Sequence, residues 1–257
     1  MRALWHACPV LTALLLLVAG ILAGIIGTAG GVTSLVAYPA LLATGMSPFA
    51  ANITNAVALL GSGFGSAVRS GPELQGHYRT LTRWAPGIVL FSLGGAVLLV
   101  VTPSAVFDRV VPFLVATSAL ILLLQPTIAA WQQRRGRVFG RASTSALGAG
   151  VALYNGYFGA GSGILLIALL LLTREPVLHR ANALKNVMLF AADVLPAVLF
   201  VVAGRGVVWA AALPLGIGAL LGGLIGPSVA RRVRPDILRV LIACCGFALA
   251  IWLFIGR

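Results

Sequence analysis

The chain has 257 residues, of which 60% are apolar and only 9% are charged. A soluble domain carries about 25% charged residues, so this composition excludes an ordinary water-soluble fold and predicts an all-α protein that crosses a lipid bilayer several times. Lys and Arg number 18 against 5 Asp and Glu, a net charge of +13. Because the arginines cluster in short gaps between apolar runs, they indicate the positive-inside rule of membrane proteins and argue against nucleic-acid binding.

The first apolar run covers about residues 10–27 and follows a short basic start. Such a start can belong to a cleaved secretory signal. This run, however, has an internal counterpart at about 144–160, and we therefore expect it to be a retained membrane helix.

A glycine-rich segment, Gly24-Ile-Ile-Gly27-Thr-Ala-Gly30-Gly31, ends the first run. The next apolar run, 32–45, is too short to cross a bilayer, which needs about 20 residues. It is followed by a run at 49–67 that begins with Ala51-Asn52-Ile-Thr-Asn55. We therefore predict a helix that breaks at the glycines, a half-helix, and a full span with amide side chains.

The first half closes with runs at 85–102 and 110–126 and a basic stretch at 128–143. The second half repeats the order, with runs at 144–160, 164–173, 181–203, 207–230 and 236–256. Its break reads Gly156-Tyr-Phe-Gly159-Ala-Gly161-Ser-Gly163, followed later by Ala181-Asn182-Ala-Leu-Lys185-Asn186. The predicted organisation is a first transmembrane repeat (1–127), a basic cytoplasmic linker loop (128–143) and a second repeat (144–257), with about eight transmembrane helices plus short half-helices.

The positive charges predict how the halves are related. If each long-plus-short pair is a hairpin that returns to the side it left, 14 Lys and Arg lie inside and 4 lie outside (Arg2, Arg109, Arg205 and Arg257). If the short runs are only dips, the division is 10 to 8, which fits the positive-inside rule less well. The first arrangement places equivalent loops on opposite sides and makes the halves an inverted repeat.

The paired breaks predict an anion site. A half-helix that begins at a break presents free N–H groups and the positive end of its dipole, and asparagine side chains add donors. The predicted substrate-binding residues are Gly27, Gly30, Gly31, Asn52, Asn55, Gly159, Gly161, Gly163, Asn182, Lys185 and Asn186. For Asn52 and Asn182, which lie near helix starts, helix capping is an equally good explanation. Asn55 also aligns along one helix face with Ser62 and Ser66.

Asp193 is the acid placed deepest in an apolar run. Buried acids in transporters often carry a coupling proton, so it is a candidate coupling residue. The alternative is a structural pairing with Lys185 or an arginine, in a helix that Pro196 kinks.

Small residues and cysteines need no functional explanation. Gly218, Gly222 and Gly226 are spaced for close helix packing. The three cysteines, Cys8, Cys244 and Cys245, predict no disulfide framework, and we expect no metal site and no cofactor.

The two glycine segments, with Tyr38-Pro39 after the first and the two asparagine segments, resemble the TauE/SafE sulfite exporter family, also called the toluene sulfonate uptake permease family. The resemblance covers nearly the whole chain. It implies a multi-pass protein of the inner (cytoplasmic) membrane, with about eight helices in two halves, that moves sulfite, sulfonates or other small sulfur-containing or organic anions. The second half lacks a proline matching Pro39, so the halves are not expected to bind equally.

Three functions compete on sequence alone. A secondary transporter of small anions, with protons as a candidate coupling ion and an oligomeric state that the sequence does not specify, explains most features. An anion channel is the nearest alternative. An intramembrane enzyme is suggested only by Ala160-Gly161-Ser162-Gly163, whose serine would need a histidine base, and the histidines His6, His77 and His179 lie at run ends or in loops.

Overall fold

The computed structural model describes residues 9–255 apart from 75, 77, 136–139, 174–176, 205 and 231–234. This part of the chain is all α-helical and contains no β-strand, which confirms the predicted class. The helices are α1 (Pro9–Gly30), α2 (Thr33–Ala43), α3 (Pro48–Ala58), α4 (Leu60–Arg69), α5 (Tyr78–Val101), α6 (Ser104–Arg135), α7 (Arg141–Tyr157), α8 (Ser162–Thr173), α9 (Leu178–Val202), α10 (Trp209–Ala230) and α11 (Pro235–Ile255), with a 3₁₀ turn at Pro72–Leu74.

Five helices of the described chain, α1, α5, α6, α9 and α10, contain stretches long and apolar enough to cross a membrane. Their large apolar side chains are not confined to the interior: Leu14, Leu15 and Val18 of α1 are each more than half exposed. Water would make this exposure costly, whereas lipid tails do not. The protein is a multi-pass helical membrane protein.

Both glycine segments interrupt the helix, as predicted. Helix α1 ends at Gly30 and α2 begins at Thr33, with Gly31 at φ 73° between them. Helix α7 ends at Tyr157, and Gly159 and Gly161 take φ 77° and 80° before α8 begins. Only glycine adopts this left-handed backbone at no steric cost. The two breaks touch each other, because a Cβ placed on Gly163 would lie 2.6 Å from Gly31 Cα.

Helices α2 and α8, with 11 and 12 residues, are the predicted half-helices. At 1.5 Å per residue they extend about 17–18 Å, roughly half of a bilayer core. Helix α2 ends at Ala43 and is followed by Gly45, which has φ 92°. Ser47 then caps α3 by accepting a hydrogen bond of 3.3 Å from Ala50 N–H. The expected end of the second half-helix at 174–176 lies outside the described residues.

The run predicted as one helix at 49–67 consists of α3 and α4, which meet at Leu59. Helical hydrogen bonds continue on both sides, from Leu59 N–H to Asn55 O at 2.9 Å and from Gly63 N–H to Leu59 O at 3.0 Å. The segment is therefore one interrupted helix. The glycines that follow Leu59 weaken the helix locally.

Helix contacts recur with the two halves exchanged. The first-half helices α1, α4, α5 and α6 correspond to the second-half helices α7, α9, α10 and α11. Accordingly, α1 and α4 both pack on α10, α7 and α9 both pack on α5, and α6 packs on α11.

Glycines permit the closest approaches between helices. Gly218 and Gly222 lie against the backbone of α1, and Gly226 lies against Ile25 and Thr28, which confirms their predicted packing role.

The predicted linker loop at 128–143 is largely helical in the described chain. Helix α6 continues to Arg135 and α7 begins at Arg141, and residues 136–139 between them lie outside the described residues. The physical reason is that the Trp-Gln-Gln-Arg-Arg segment at 131–135 is polar but consists largely of good helix formers, which let a helix extend beyond the apolar stretch.

Candidate functional site

The two breaks open onto one cavity. It has a volume of about 100 Å³ and is bounded by the ends of α1 and α7, the starts of α2 and α8, and one face each of α3, α4 and α9. One water occupies about 10–15 Å³ of such space, so several waters or one small polyatomic solute fit. Both halves of the chain contribute to its wall.

Most of the predicted site residues lie on this wall. They are Gly27, Gly31, Asn55, Gly159, Gly163, Lys185, Asn186 and the candidate coupling residue Asp193. Ser62 and Ser66 of α4 line the cavity as well, on the helical face that also carries Asn55. Gly30 is the last residue of α1.

Asn52 and Asn182, although predicted as binding residues, bind main-chain oxygens of the opposite half. Asn52 Nδ2 donates to Tyr157 O at 3.1 Å, and Asn182 Nδ2 donates to Thr28 O at 2.9 Å. Neither asparagine is among the wall residues of the described chain. Both bonds cap the C-terminal ends of α7 and α1, whereas the capping alternative concerned the starts of the asparagines' own helices.

Gly161 also differs from its prediction as a binding residue. It lies in the turn before α8, and a Cβ placed on it would approach Ser118 of α6 at 3.5 Å. The Ser118 hydroxyl donates to the neighbouring Ala160 O at 2.8 Å, as does Tyr154 at 2.7 Å. Gly161 shapes the turn, and Gly159 and Gly163 on either side face the cavity.

Lys185 is buried, with 2% of its surface exposed, and lines the cavity. Its Nζ donates to Gly27 O at 3.2 Å, at the end of α1. No ion pair joins it to an acid of the described chain, so the alternative pairing with Asp193 is not formed. An ammonium group has three donors, and a carbonyl oxygen gives it no compensating charge. A buried cation of this kind favours an anion beside it.

Asp193 is held by an amide. Asn155 Nδ2 donates to Asp193 Oδ1 at 2.6 Å, and Asn155 Oδ1 accepts from Ser162 Oγ, also at 2.6 Å. Sequence reasoning missed Asn155 because Ala23 stands at the equivalent place in the first half, directly before Gly24, so the internal repeat gave no signal. Its position directly before Gly156, in an apolar stretch of α7, was the available indication.

Ser162 was considered as an enzyme nucleophile. In the described chain its hydroxyl donates to Asn155 Oδ1 and to Gly159 O at 2.8 Å. Neither an amide nor a main-chain carbonyl can take up its proton as a general base does. Its surroundings suit a hydrogen-bond donor at the start of α8.

Asn55 and Asn186, both on the cavity wall, each donate a hydrogen bond to a serine. Asn55 Nδ2 donates to Ser34 Oγ at 3.1 Å in the first turn of α2, and Asn186 Nδ2 donates to Ser70 Oγ at 3.2 Å. Asn55 Oδ1 is buried and has no hydrogen-bond partner in the described chain. The serines Ser34 and Ser70 were not predicted as site residues.

The helix ends make the electrostatic potential in the cavity more positive. The negative ends of α1 and α7 receive side-chain donors, from Lys185 and Asn182 on α1 and from Asn52 on α7. The start of α2 has no side-chain cap, because Val32 occupies the capping position. The positive ends of α2 and α8 therefore face the cavity while the negative ends are compensated. No group of three His, Cys, Asp or Glu that could hold a metal occurs within the described ranges.

The family model described as sulfite exporter TauE/SafE matches residues 12–253. The chain is 30% identical over 241 residues to a probable membrane transporter protein, ORF9, of Sinorhizobium, covering 92% of this chain and 90% of that protein. It is 26% identical over 245 residues to the probable membrane transporter protein YfcA of Escherichia coli K12, covering 94% and 88%. A probable membrane transporter protein of Haemophilus influenzae is 25% identical, with 89% of both chains covered. No solved structure matches the chain at a significant level.

Proposed function

The chain belongs to the TauE/SafE sulfite exporter family of membrane transporters, and on this premise we propose that it is a secondary transporter of small sulfur-containing or organic oxyanions, with sulfite and simple sulfonates as the leading substrates. The anion binds in the cavity between the two breaks and contacts donors from both halves. In this proposal the protein lies in the inner membrane of a bacterium, as its bacterial relatives suggest.

The observation that carries the proposal is the buried ammonium of Lys185 on the cavity wall, 3.2 Å from Gly27 O and without an acid partner in the described chain. A charge removed from water is stabilised by an opposite charge brought close to it. A small anion in the cavity would supply that charge and would also accept hydrogen bonds from the starts of α2 and α8.

A cation is a poorer fit for the same cavity. Asp193 is the acid on its wall in the described chain, and its Oδ1 already accepts a hydrogen bond from Asn155. The remaining polar wall groups include hydroxyls of Thr33, Ser34 and Ser62 and the amide of Asn186. These groups suit an oxyanion, which accepts several hydrogen bonds at once.

The exchanged helix contacts support an arrangement in which the two halves form an inverted repeat around the cavity. Eight crossings would result if α3 and α4 together form one span, α7 and α11 also cross, and α2 and α8 enter only half-way. The breaks would then lie near the middle of the bilayer, where irregular backbone is tolerated only beside protein or a wet cavity.

Asp193 is the candidate for proton coupling, since its carboxyl lies on the cavity wall and an ionised carboxylate there repels the substrate. Binding of a proton to Asp193 removes this repulsion. Proton and anion would therefore occupy the cavity together, which is the requirement for coupled movement in one direction.

The test is uptake into proteoliposomes of radiolabelled sulfite, thiosulfate, methanesulfonate and short carboxylates. Lys185→Met keeps most of the length of the side chain and removes its charge, and we expect the flux of the preferred anion to fall at least about tenfold, because a charged hydrogen bond is lost. Thr82→Val is the control, since the hydroxyl of the exposed Thr82 bonds, among the residues that the structure describes, only to carbonyls of its own helix. Acceleration of labelled entry by unlabelled anion inside separates a carrier from a channel. Wild-type vesicles that pass none of these anions, or full flux in Lys185→Met, would overturn the proposal.

A further inference from the structure

Asn155 lies between the carboxylate of Asp193 and the hydroxyl of Ser162 on the cavity wall. Its Nδ2 donates to Asp193 Oδ1 and its Oδ1 accepts from Ser162 Oγ, each at 2.6 Å. All three side chains line the cavity. One amide therefore connects the carboxylate on α9 to the first residue of α8.

While Asp193 is ionised, this amide determines where the hydroxyl hydrogen of Ser162 goes. A carboxylate only accepts hydrogen bonds, so Asn155 turns its NH₂ group toward Asp193 and its carbonyl oxygen toward Ser162. Ser162 has one hydroxyl hydrogen, and of the two oxygens that accept it Asn155 Oδ1 is the nearer, at 2.6 Å against 2.8 Å for Gly159 O. An anion that took this hydrogen would leave two oxygen acceptors facing each other at 2.6 Å, which is unfavourable.

A proton on Asp193 reverses the arrangement. The proton forms an O–H bond on the carboxylate, and this new donor can serve Asn155 Oδ1 once the amide has rotated about its Cβ–Cγ bond. The NH₂ group then donates to Ser162 Oγ, and the hydroxyl hydrogen of Ser162 can turn to the cavity. Gly159 O, at 2.8 Å, competes for it, but a hydrogen bond to an anion is charge-assisted and stronger.

We infer that Asn155 is a positioning residue that links proton binding at Asp193 to anion binding at the start of α8. This inference rests on the proposed anion transport. Lys185, two helical turns earlier on α9, is the other ionisable side chain on the cavity wall in the described chain. The helices packed on α9 contribute only neutral groups to that wall, so the amide is the direct connection between proton and anion.

The test measures equilibrium binding of radiolabelled methanesulfonate to the purified full-length protein in nanodiscs, at about pH 5.5 and about pH 8, where this probe stays singly charged. The variants are Ser162→Ala, which removes the donor, and Asn155→Leu, which removes the relay at similar volume. Ser92→Ala is the matched control. It deletes a neutral contact of 3.4 Å to the same Asn155 and leaves the bonds to Asp193 and Ser162 in place.

We expect Ser162→Ala to weaken binding about tenfold at the lower pH, where its hydrogen bond to the anion is formed, and much less at the higher pH. In Asn155→Leu no amide oxygen holds the Ser162 hydrogen at either pH, so affinity at the higher pH should rise above that of the wild type and the difference between the two pH values should shrink, whereas Ser92→Ala keeps the wild-type pH profile. In an Asp193→Asn background, Ser162→Ala should lower the affinity for methanesulfonate by the same factor at both pH values, because the residue at 193 stays neutral.

Equal losses at both pH values for Ser162→Ala in the wild-type background would overturn the inference and leave Asp193 acting by charge alone. If Asn155→Leu does not fold, the Ser162→Ala comparison still decides. Wild-type protein that binds no methanesulfonate but transports another anion from the panel would overturn the relay for sulfonates and leave the transporter proposal intact. A wild-type protein that neither binds nor transports any anion of the panel would overturn both the relay through Asn155 and the transporter proposal.

Discussion

The side-chain amide of Asn182 donates a hydrogen bond of 2.9 Å to the main-chain oxygen of Thr28, near the end of α1. The equivalent bond in the other direction runs from Asn52 to Tyr157 O, at the end of α7. Each half thus supplies the donor that satisfies a broken helix end in the other half. A helix end buried without such partners is costly, so these two bonds tie the halves together at the level of the cavity.

Loss of either cap should destabilise the fold. Asn52→Leu and Asn182→Leu each leave a carbonyl oxygen of a partly buried hydrogen bond without its donor, at a cost of about 1 kcal/mol in the free energy of unfolding. Thermal unfolding in detergent, followed by size-exclusion chromatography, measures the effect. Thr102→Val is the control, because Thr102 is partly exposed and its hydroxyl bonds, within the described chain, only to Leu98 O of the preceding helix α5. Unchanged unfolding temperatures for both asparagine variants would contradict this role.

The contact between the two breaks should tolerate no side chain. Gly163→Ala places a Cβ 2.6 Å from Gly31 Cα, so one break must move and the cavity with it. We expect a lower unfolding temperature and little anion flux. Gly150→Ala is the matched control, since no atom lies within 4 Å of its Cβ position and alanine favours a helix by about 1 kcal/mol. A Gly163→Ala protein with normal stability and flux would show that the breaks are free to separate.

The amides of Asn55 and Asn186 should contribute to flux more than to folding. Asn55→Leu releases Ser34 at the start of α2, and Asn186→Leu releases Ser70. We expect each variant to reduce anion flux in reconstituted vesicles several-fold, because polar wall groups are lost or displaced, while the folded protein stays abundant. Full flux in both variants would remove these amides from the site.

Asp193→Asn should remove proton dependence more than anion binding. Protonation of Asp193 lowers the negative charge in the cavity, so wild-type affinity for a monoanion should rise as the pH falls. The variant stays neutral, so its flux should no longer respond to an imposed proton gradient. The measurement is sulfonate uptake with and without an inwardly directed gradient. If acceleration by the gradient survives in the variant, Asp193 has a structural role only.

Several features could be predicted from the chain alone because they depend on local chemistry. Apolar runs bounded by arginines predict membrane helices whatever their neighbours are, and glycines at positive φ, such as Gly31 and Gly159, interrupt a helix through their own backbone freedom. The stripe of Asn55, Ser62 and Ser66 follows from helical geometry, and it lines the cavity as that geometry suggests.

The direction in which each amide points was decided by tertiary structure. Asn52 and Asn55 are one helical turn apart, yet one binds the end of α7 and the other binds Ser34 beside the cavity. Asn155 gained its place between Asp193 and Ser162 only through the packing of α7, α8 and α9. Composition and glycine spacing thus determined a broken, repeated membrane fold. The partner of each of these amides was decided by helix packing, because each bond joins atoms on different helices, with 38 residues separating Asn155 and Asp193 and 105 separating Asn52 and Tyr157.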